Sequence, residues 1–421
     1  MENKFNVNVR SEIGELEAVI LHTPGTEVEN MTPENAERAL YSDILNLSVA
    51  SSEYAQLKGT LSKFAKIFEV KDLLTSVLEN EKVKEDLLSK ICENEHISNL
   101  KNALMRQDTK NLAGLLIEGV FLEKNNLTDF LNRERYSLKP LHNFFFTRDA
   151  SACWTDRVII GRMASRVRDR EALIMETIFD YHKNFNSHTL SANNRNNNNS
   201  NIRLEGGDIL IAREDIILMG IGARTTSQGV DFILQKLTEE KKEKCHIIVQ
   251  ELPLMPESFI HLDMVFTFLD KDKCMVYEPV ILKPNKLQTV HIEIDNGKVK
   301  NISHVKNIPD ILRQLGIDLT PVLCGGNSDE WVQEREQWHS GANFFALAPG
   351  KVIGYGRNVH TIEELNKNGF EVIKAKDIIG NKVSADEYQK AVITIQGSEL
   401  ARGGGGARCM TMPVRRKPVS W

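Results

Sequence analysis

The sequence predicts an α/β protein in which short buried strands alternate with amphipathic helices. Three observations support this fold class: short apolar runs bounded by turn residues, helical spacing of apolar residues between those runs, and one long stretch with helical spacing almost throughout. The chain has 421 residues, of which 41% are hydrophobic and 26% charged. Because this is the composition of an ordinary globular protein, we expect a large core and one or two domains.

The first predicted strand lies between Glu15 and Pro24, where the apolar centre of ELEAVILHTP ends at a Pro-Gly turn. Similar apolar runs predict further strands along the chain. They are VIIG near Val158, IRLEGGDILIA near Ile202, IILMGIG near Ile216, HIIVQ near His246, FIHLDMVFTFL near Phe259 and KVIGY near Val352.

Helices are predicted where apolar residues recur three and four positions apart, as in REALIMETIFDYHKNF from Arg170 and SQGVDFILQKLTEEKK from Ser227. From about Lys71 to Arg133 this spacing continues with almost no strand signal. We therefore interpret residues 71–133 as an inserted helical subdomain, and residues 1–70 and 134–421 as one α/β domain.

Two segments are predicted to be additions to the surface. The asparagine-rich run from Ala192 to Asn201 cannot bury apolar area and is typical of an exposed loop. The region from Lys271 to Lys306 contains DKDK and a lysine-rich tract, and we interpret it as a surface elaboration with short strands.

The net charge of -5 is spread along the chain, which argues against a nucleic-acid partner and mildly favours a cationic small substrate. No apolar run reaches the roughly 18 residues that a membrane span requires. The N-terminal segment has neither the basic start nor the apolar stretch of an export signal. We expect a cytoplasmic protein without a membrane or nucleic-acid partner.

The cysteines are scattered and form no C-x-x-C pair, which disfavours a structural zinc site and a disulfide scaffold. We expect neither a metal nor another cofactor, and a reactive cysteine must be identified from its neighbours. The six cysteines are Cys92, Cys153, Cys245, Cys274, Cys324 and Cys409.

His261 and Asp263 lie two positions apart in the apolar run FIHLDMVF. In a strand, both side chains would project from the same face. Two polar residues facing one way there indicate a functional pair, although a buried histidine satisfied by a neighbouring acid explains the pattern equally well.

Glu205 and Asp208 flank two glycines in LEGGDIL. Glycines at such a place allow a tight turn or the close approach of a ligand. A simple hairpin turn is the competing interpretation, and the pair of acids is the reason to consider a site.

Asp149 follows three phenylalanines and an arginine in NFFFTRD. An acid beside aromatic rings can balance the charge of a cation that stacks on those rings. Alternatively, the phenylalanines belong to the core and Arg148 pairs with Asp149.

Cys409 follows a run of four glycines in GGGGARCMTMP. No Lys-Ser or Lys-Thr follows the glycines, so a phosphate-binding loop is not indicated. A loop that carries Cys409 into a pocket explains the glycines, and the neighbouring Arg408 would favour the thiolate.

Together these motifs supply a nucleophile, a histidine and several carboxylates, which is what chemistry on a guanidinium group requires. A guanidinium ion is planar, always charged and a poor electrophile. An enzyme must hold it between carboxylates and attack its central carbon with a soft nucleophile.

The same motifs resemble those of the arginine deiminases. NFFFTRD, LEGGD, GARTT, IHLD, EREQW and RCMTMP occur in that family's order, and the N-terminal SEIGELEAVILHTPG extends the resemblance over nearly the whole chain. The resemblance implies a pseudo-fivefold α/β propeller of strand-and-helix modules with a helical insertion. It also implies hydrolysis of L-arginine to citrulline and ammonia by a homo-oligomer, a dimer or a tetramer.

The resemblance also implies roles for individual residues. Cys409 is expected to be the nucleophile and His261 the general acid and base. Asp149 and Asp263 are expected to grip the guanidinium, and Glu205 to orient His261.

The amino-acid end of the substrate is expected to meet Asn143, Arg168 and Arg224, with Phe146 lining the pocket. Two alternatives stay open. In SRVRDR a one-step shift of the alignment would move the role of Arg168 to Arg166 or Arg170. Within the glycine loop the arginine that contacts substrate is Arg408 or Arg402.

Other activities of the same fold would use much the same cysteine, histidine and acids. They are hydrolysis of agmatine, of methylated arginine or of a ureido compound, and amidino transfer. Agmatine has no carboxylate for Arg168 and Arg224, and a neutral ureido group would leave the carboxylates without a cation. A catalytically silent ligand-binding protein is the alternative from a different class.

Overall fold

The computed structural model describes residues 5–32, 43–193, 201–240, 243–327 and 329–421. It is a mixed α/β structure in which helices alternate with sheets, as predicted. Within these ranges the α-helices are Thr26–Glu29, Leu47–Leu61, Val70–Val77, Glu81–Asn94, Lys101–Met105, Thr109–Glu118, Leu127–Leu131, Thr147–Ala150, Asp169–Tyr181, Ser227–Glu240, Glu278–Ile281, Ile308–Gln314, Glu330–Trp338, Val359–Lys367 and Ala375–Ile379.

In the described ranges, five sheets have three or more strands. We number them sheets 1 to 5, each in strand order. They are Met412–Arg416, Leu16–Leu21 and Lys66–Glu69 (sheet 1); Ser151–Trp154, Arg157–Ile160 and His188–Ser191 (sheet 2); Ile209–Arg213, Ile216–Ile221, Cys245–Glu251, Thr289–Asp295 and Lys298–Val305 (sheet 3); Phe266–Phe268, Lys273–Val276 and Thr320–Leu323 (sheet 4); and Phe345–Ala348, Lys351–Tyr355, Ala391–Ile395 and Glu371–Lys374 (sheet 5).

Each of the five sheets contains the same pattern of three strands. The first strand runs antiparallel to the second, and the second runs parallel to the third. The connection from the second strand to the third contains at least one helix in every case, because parallel neighbours need a crossover connection. This repeated unit is the physical origin of the alternation that the sequence displays.

Sheet 1 joins the two ends of the chain. Its strand Leu16–Leu21 pairs with Met412–Arg416 on one side and with Lys66–Glu69 on the other. Val19 and Ile20 are fully buried there. The predicted N-terminal strand is therefore confirmed. Its antiparallel neighbour, Met412–Arg416, follows Cys409 closely in the chain.

The helices bury the stripes that their sequences predict. In Ser227–Glu240 the residues Val230, Ile233 and Leu237 are buried, at the spacing of one helix face. Helix Asp169–Tyr181 likewise buries Ile178. No helix of the described residues is long and apolar enough to cross a membrane.

The segment predicted to be helical contains five helices in the described ranges, from Val70–Val77 to Leu127–Leu131. Its core is continuous with that of sheet 2, since Leu88 and Leu116 belong to the same cluster of buried side chains as Ile178. A short strand, Val120–Phe121, pairs with Tyr136–Leu138. The division into two domains stays a prediction.

Two predicted strands are shorter than their apolar runs. In IRLEGGDILIA only Ile209–Arg213 is a strand, and Gly206–Asp208 forms a 3₁₀ turn before it. In FIHLDMVFTFL the strand is Phe266–Phe268, preceded by two 3₁₀ turns. Periodicity cannot separate a buried turn from a buried strand when the apolar run is short.

The region Lys271–Lys306 is more than a surface elaboration. Its strand Lys273–Val276 is central in sheet 4, with Cys274 and Met275 fully buried, and its hairpin Thr289–Asp295 and Lys298–Val305 extends sheet 3. Most of the asparagine-rich run, residues 194–200, lies outside the described residues.

Candidate active site

A small cavity collects the side chains that the motifs singled out. It has a volume of about 20 Å³, which is room for about one water molecule. Several elements far apart in the chain contribute to its wall. The lining residues are Asn143, Phe146, Asp149, Arg168, Arg224, Ile260, His261, Gly403, Gly404, Gly405 and Cys409.

Cys409 is held by a buried asparagine that the sequence motifs do not include. The side-chain oxygen of Asn343 accepts hydrogen bonds from the backbone N–H of Arg408 at 2.9 Å and of Cys409 at 3.2 Å. Its side-chain nitrogen donates to the carbonyl of Asp263 at 3.1 Å. Asn343 therefore ties the nucleophile segment to the segment that carries Asp263.

The glycines before Cys409 allow close packing. A Cβ atom at Gly405 would lie 2.5 Å from the ring of Phe146, and one at Gly406 would lie 2.7 Å from the side chain of Asn343. Gly404 has a φ of 84°, in the left-handed region that favours glycine. The glycine run is thus explained by close packing and a left-handed backbone conformation, in addition to flexibility.

The surroundings of Cys409 favour its thiol form over the thiolate. Burial and the negative charges of Asp263 and Asp149 raise the pKa of Cys409 well above its usual value. Its Sγ lies 3.7 Å from Oδ2 of Asp263. Arg408 lowers this pKa, as the sequence predicted, but its effect is smaller than that of the carboxylates.

His261 lies at the start of a 3₁₀ turn and is 1% exposed. Its Nε2 lies 2.9 Å from Oε2 of Glu205, and its Nδ1 lies 3.6 Å from Oδ1 of Asp149. Burial disfavours the imidazolium, but Asp149 and Glu205 outweigh it and raise the pKa of His261 to about 9. The doubly protonated imidazolium form of His261 is therefore favoured at neutral pH.

Glu205 lies behind His261, away from the cavity wall. Its Oε1 accepts from the backbone N–H of Ala164 at 2.9 Å. Burial opposes its ionisation, but the hydrogen bond from His261 and the charge of Arg224 lower the pKa of Glu205 to about 2. A buried, ionised carboxylate is well suited to fix the orientation of a protonated histidine.

The two glycines of LEGGD are required by this packing. A Cβ atom at Gly207 would lie 2.4 Å from Nδ1 of His261, and one at Gly206 would lie 2.0 Å from a backbone oxygen. The second acid of the motif, Asp208, accepts from the backbone N–H of Leu262 at 2.8 Å. Asp208 thus fixes the turn that presents His261.

Arg168 is the member of SRVRDR that reaches the cavity. Its Nη1 donates to Oδ2 of Asp149 at 2.6 Å and its Nη2 to Glu171 at 2.8 Å. Arg170 instead bonds to Glu95 at 2.7 Å, and Arg166 is exposed. The position of Arg168 therefore favours Arg168 over Arg166 and Arg170 as the arginine of this motif that contacts the substrate.

Arg408, predicted to contact the substrate, lies behind the cavity and is 1% exposed. Its Nη1 donates to Oδ2 of Asp263 at 2.7 Å, and its Nε and Nη2 donate to Glu12 at 3.0 Å. A further bond reaches the carbonyl of Ile209 at 2.7 Å. This placement gives no support to substrate contact by Arg408, which stays a prediction.

Arg402, the alternative within the glycine loop, does not line the cavity either. It is paired with Asp43 and with Glu399, the latter at 3.3 Å. Neither arginine of the loop is therefore placed against the cavity in this arrangement of the chain.

Asp263 also lies outside the cavity wall, beneath the sulfur of Cys409, and is fully buried. Asp149, by contrast, lines the cavity, and its Oδ1 has no hydrogen bond among the described residues. Of the two predicted guanidinium-gripping carboxylates, one faces the cavity and the other lies below the nucleophile.

The motifs indicate no role for three residues that support the site: Glu12, Asn343 and Glu171. Glu12 comes from the N-terminal segment, and the charges of Arg408 and Arg148 outweigh its burial and lower its pKa to about 2. Glu12 is a single acid shortly before a strand, and its position in the sequence does not indicate a role in the site. The N-terminal part of the resemblance, SEIGELE, was the one feature that included Glu12.

The side chains of Asp149, Glu205 and His261 have ligand atoms within 4.8 Å of one another. A histidine and two carboxylates are metal-binding residue types, and their wide separation in the sequence concealed this group. His261 and Glu205 already bond to each other, and Asp149 to Arg168. The expectation of metal-free activity stays a prediction.

Comparisons with known proteins assign the family. The arginine deiminase model matches residues 37–416. The arginine deiminase of Bacillus cytotoxicus is 31% identical over 99% of this chain and 100% of its own length. That of Latilactobacillus sakei is 32% identical over 98% of this chain and 99% of its own.

Solved structures share the fold at low identity. An amidinotransferase from Microseira wollei matches with a TM-score of 0.54 and 15% identity over 98% of each chain. The N-terminal domain of a cyanobacterial arginine dihydrolase matches with a TM-score of 0.51 and 14% identity, over 95% of this chain and 97% of that one. With a family model over most of its length and full-length relatives above 30% identity, the chain belongs to the arginine deiminase family.

Proposed function

We propose that the protein hydrolyses L-arginine to L-citrulline and ammonia through a covalent intermediate on Cys409. The observation that carries the proposal is the meeting of Cys409, His261 and Asp149 at one cavity, with Arg168 and Arg224 in the same wall. A cysteine and a protonated histidine supply the chemistry, and the arginines supply partners for a substrate carboxylate. Family membership supports the same activity.

The substrate itself activates the nucleophile in this proposal. The carboxylates of Asp263 and Asp149 disfavour the thiolate of Cys409. A guanidinium cation bound beside them neutralises their charge, so the pKa of Cys409 falls and the thiolate forms. The thiolate then attacks the central guanidinium carbon.

His261 moves the protons. In its imidazolium form it protonates a terminal nitrogen of the tetrahedral adduct, the C–N bond breaks, and ammonia leaves. A thiouronium group remains on Cys409. The neutral imidazole then removes a proton from water as the water attacks the same carbon. The C–S bond breaks, the hydroxyl proton of the adduct passes to the departing sulfur, citrulline leaves, and Cys409 returns to its thiol form.

Substrate binding requires the cavity to widen, since about 20 Å³ does not hold an arginine side chain. Gly403, Gly404 and Gly405 form part of the wall and allow backbone movement there. Arg168 must also share Asp149 with the incoming guanidinium. We propose that it then turns its donors to the substrate carboxylate.

Production of citrulline and ammonia tests the activity directly. Purified protein is incubated with L-arginine, agmatine or citrulline beside a Cys409→Ser control, and both products are measured. We expect products from L-arginine with the wild type alone. Consumption of agmatine or citrulline without citrulline formation from L-arginine would contradict the proposal.

Full activity after exhaustive chelation supports metal-free chemistry, and loss of activity that zinc restores contradicts it.

We also propose that the five sheets form a closed pseudo-fivefold propeller. The common strand pattern and the pairing of the chain ends in sheet 1 support this.

Family resemblance supports a cytoplasmic homo-oligomer, a dimer or a tetramer. Light scattering of the purified protein measures its oligomeric state.

A further inference from the structure

A second cavity adjoins the first and is far larger. Its volume is about 540 Å³, within the range of roughly 300–1,000 Å³ that small-molecule sites occupy. Asn143 and Arg168 line both cavities. The proposed reaction does not use the rest of this wall, which comes from residues 132–142 and from the start of helix Asp169–Tyr181.

The charges of the second cavity do not balance. Lys139 pairs with Glu134 at 2.9 Å, and Arg168 pairs with Glu171 at 2.8 Å. Arg133 and Arg135 also line the cavity and are exposed, and neither side chain has an ion pair or hydrogen bond with another described residue. Among the residues that the structure describes, two guanidinium groups of this wall are therefore left without an acid.

Arg135 is held by rings. Its guanidinium carbon lies 5.3 Å from the ring centroid of Phe121 and 5.8 Å from that of Tyr136, and the two rings are stacked. Cation–π contact positions the guanidinium without using its N–H donors. The buried hydroxyl of Tyr136, which also lines the cavity, has no hydrogen bond with another described residue.

We propose that the second cavity binds a small dianion, a dicarboxylate or a phosphate, between Arg133 and Arg135. Two unpaired guanidinium groups match two negative charges, and the guanidinium fork suits carboxylate and phosphate oxygens alike. The hydroxyl of Tyr136 offers a further donor. A cation such as free arginine would meet a net positive wall and is disfavoured.

The bound dianion weakens substrate binding through Arg168. This side chain donates to Asp149 in the first cavity and to Glu171 in the second. A negative charge in the second cavity attracts the guanidinium of Arg168 toward that side. The substrate carboxylate then loses a partner, so the apparent KM for L-arginine rises. This coupling, unlike the binding itself, rests on the proposed function.

Calorimetric titration of the Cys409→Ser protein measures binding without turnover. The probes are inorganic phosphate and succinate, each at constant ionic strength. We expect saturable binding of at least one probe at one site per chain, weakened at least tenfold by Arg135→Gln. Arg335→Gln is the matched control, because Arg335 is exposed, lies outside both cavities and removes the same charge.

The outcomes separate the two claims. Binding of one probe alone identifies a phosphate or a dicarboxylate as the ligand chemistry. No saturable binding, or equal binding by the Cys409→Ser protein with and without Arg135→Gln, overturns the site. A bound probe that leaves the KM of active enzyme unchanged overturns the coupling. Wild-type protein that binds the probe but releases no citrulline from L-arginine contradicts the proposed function and leaves the site standing.

Discussion

Two buried arginines each hold one carboxylate of the candidate site, and they lie on opposite sides of it. Arg168 holds Asp149 at the cavity wall, whereas Arg408 holds Asp263 beneath the sulfur of Cys409. The front pair is open to the cavity on one side. The rear pair is closed, because Glu12 and the carbonyl of Ile209 accept hydrogen bonds from the other side of the Arg408 guanidinium.

This difference separates binding from positioning. An arginine whose partner faces a cavity can exchange that partner for substrate, so the front pair is suited to binding. An arginine with all its contacts inside the protein fixes its partner instead. The family resemblance implies substrate contact for both arginines, and the structure places them differently.

The largest expected effect comes from breaking the rear pair. Arg408→Met leaves the carboxylates of Glu12 and Asp263 buried without their ion-pair partner, so the free energy of unfolding falls by about 3–5 kcal/mol. Urea denaturation measures it. The double variant Arg408→Met/Glu12→Gln removes one of the stranded charges and recovers part of the loss. A single variant as stable as the wild type would refute a closed rear pair.

A smaller effect is expected where the rear side meets the nucleophile. Asn343→Ala removes the three hydrogen bonds that join Cys409, Arg408 and Asp263, and misplacement of a nucleophile lowers kcat by about 100-fold. Steady-state kinetics measure kcat. Asn358→Ala is the matched control, since Asn358 is equally buried but bonds to His339 away from the cavity. Equal losses in both variants would indicate a general packing defect.

The front pair is predicted to act on binding. Arg168→Lys keeps the charge but loses the guanidinium fork, so the KM for L-arginine rises by about tenfold, the cost of one charge-assisted bond. The kcat changes little. Agmatine, which has no carboxylate, sharpens the test: its inhibition constant against L-arginine is expected to respond far less to the substitution than the KM for L-arginine. Equal changes in the two constants would exclude carboxylate binding by Arg168.

The mildest expected change concerns pH. With the pKa of His261 raised to about 9, the imidazolium is lost, and activity falls, as pH rises through that value. Glu205→Gln removes one of the charges that raise this pKa, so the basic limb moves to lower pH. The pH profile of kcat/KM measures the limb. An unchanged limb would show that it does not report the ionisation of His261.

The sequence predicts the fold class and the cavity wall well, for a physical reason. Cys409, His261, Asp149 and Arg168 stand in local motifs whose glycines and aromatic residues have packing roles, and the structure brings all four to one cavity. The strand-and-helix units leave an apolar periodicity. Both signals are local, so the linear chain retains them.

The supporting residues could not be predicted in the same way. Asn343 acts on Cys409 across 66 positions, and Glu12 on Arg408 across 396. Such contacts depend on how distant segments pack, and isolated polar residues carry no periodic signal. The turn at His261 was assigned to a strand for a related reason, since burial made a 3₁₀ turn look like a buried strand.

Capture of the covalent intermediate tests the central claim most directly. The protein is mixed with L-arginine, quenched in acid during turnover, digested and analysed by mass spectrometry. The account predicts a peptide containing Cys409 whose mass has increased by arginine less ammonia, and no such peptide from Cys409→Ser. Citrulline production with Cys409 unmodified throughout turnover, or from Cys409→Ser, would contradict it.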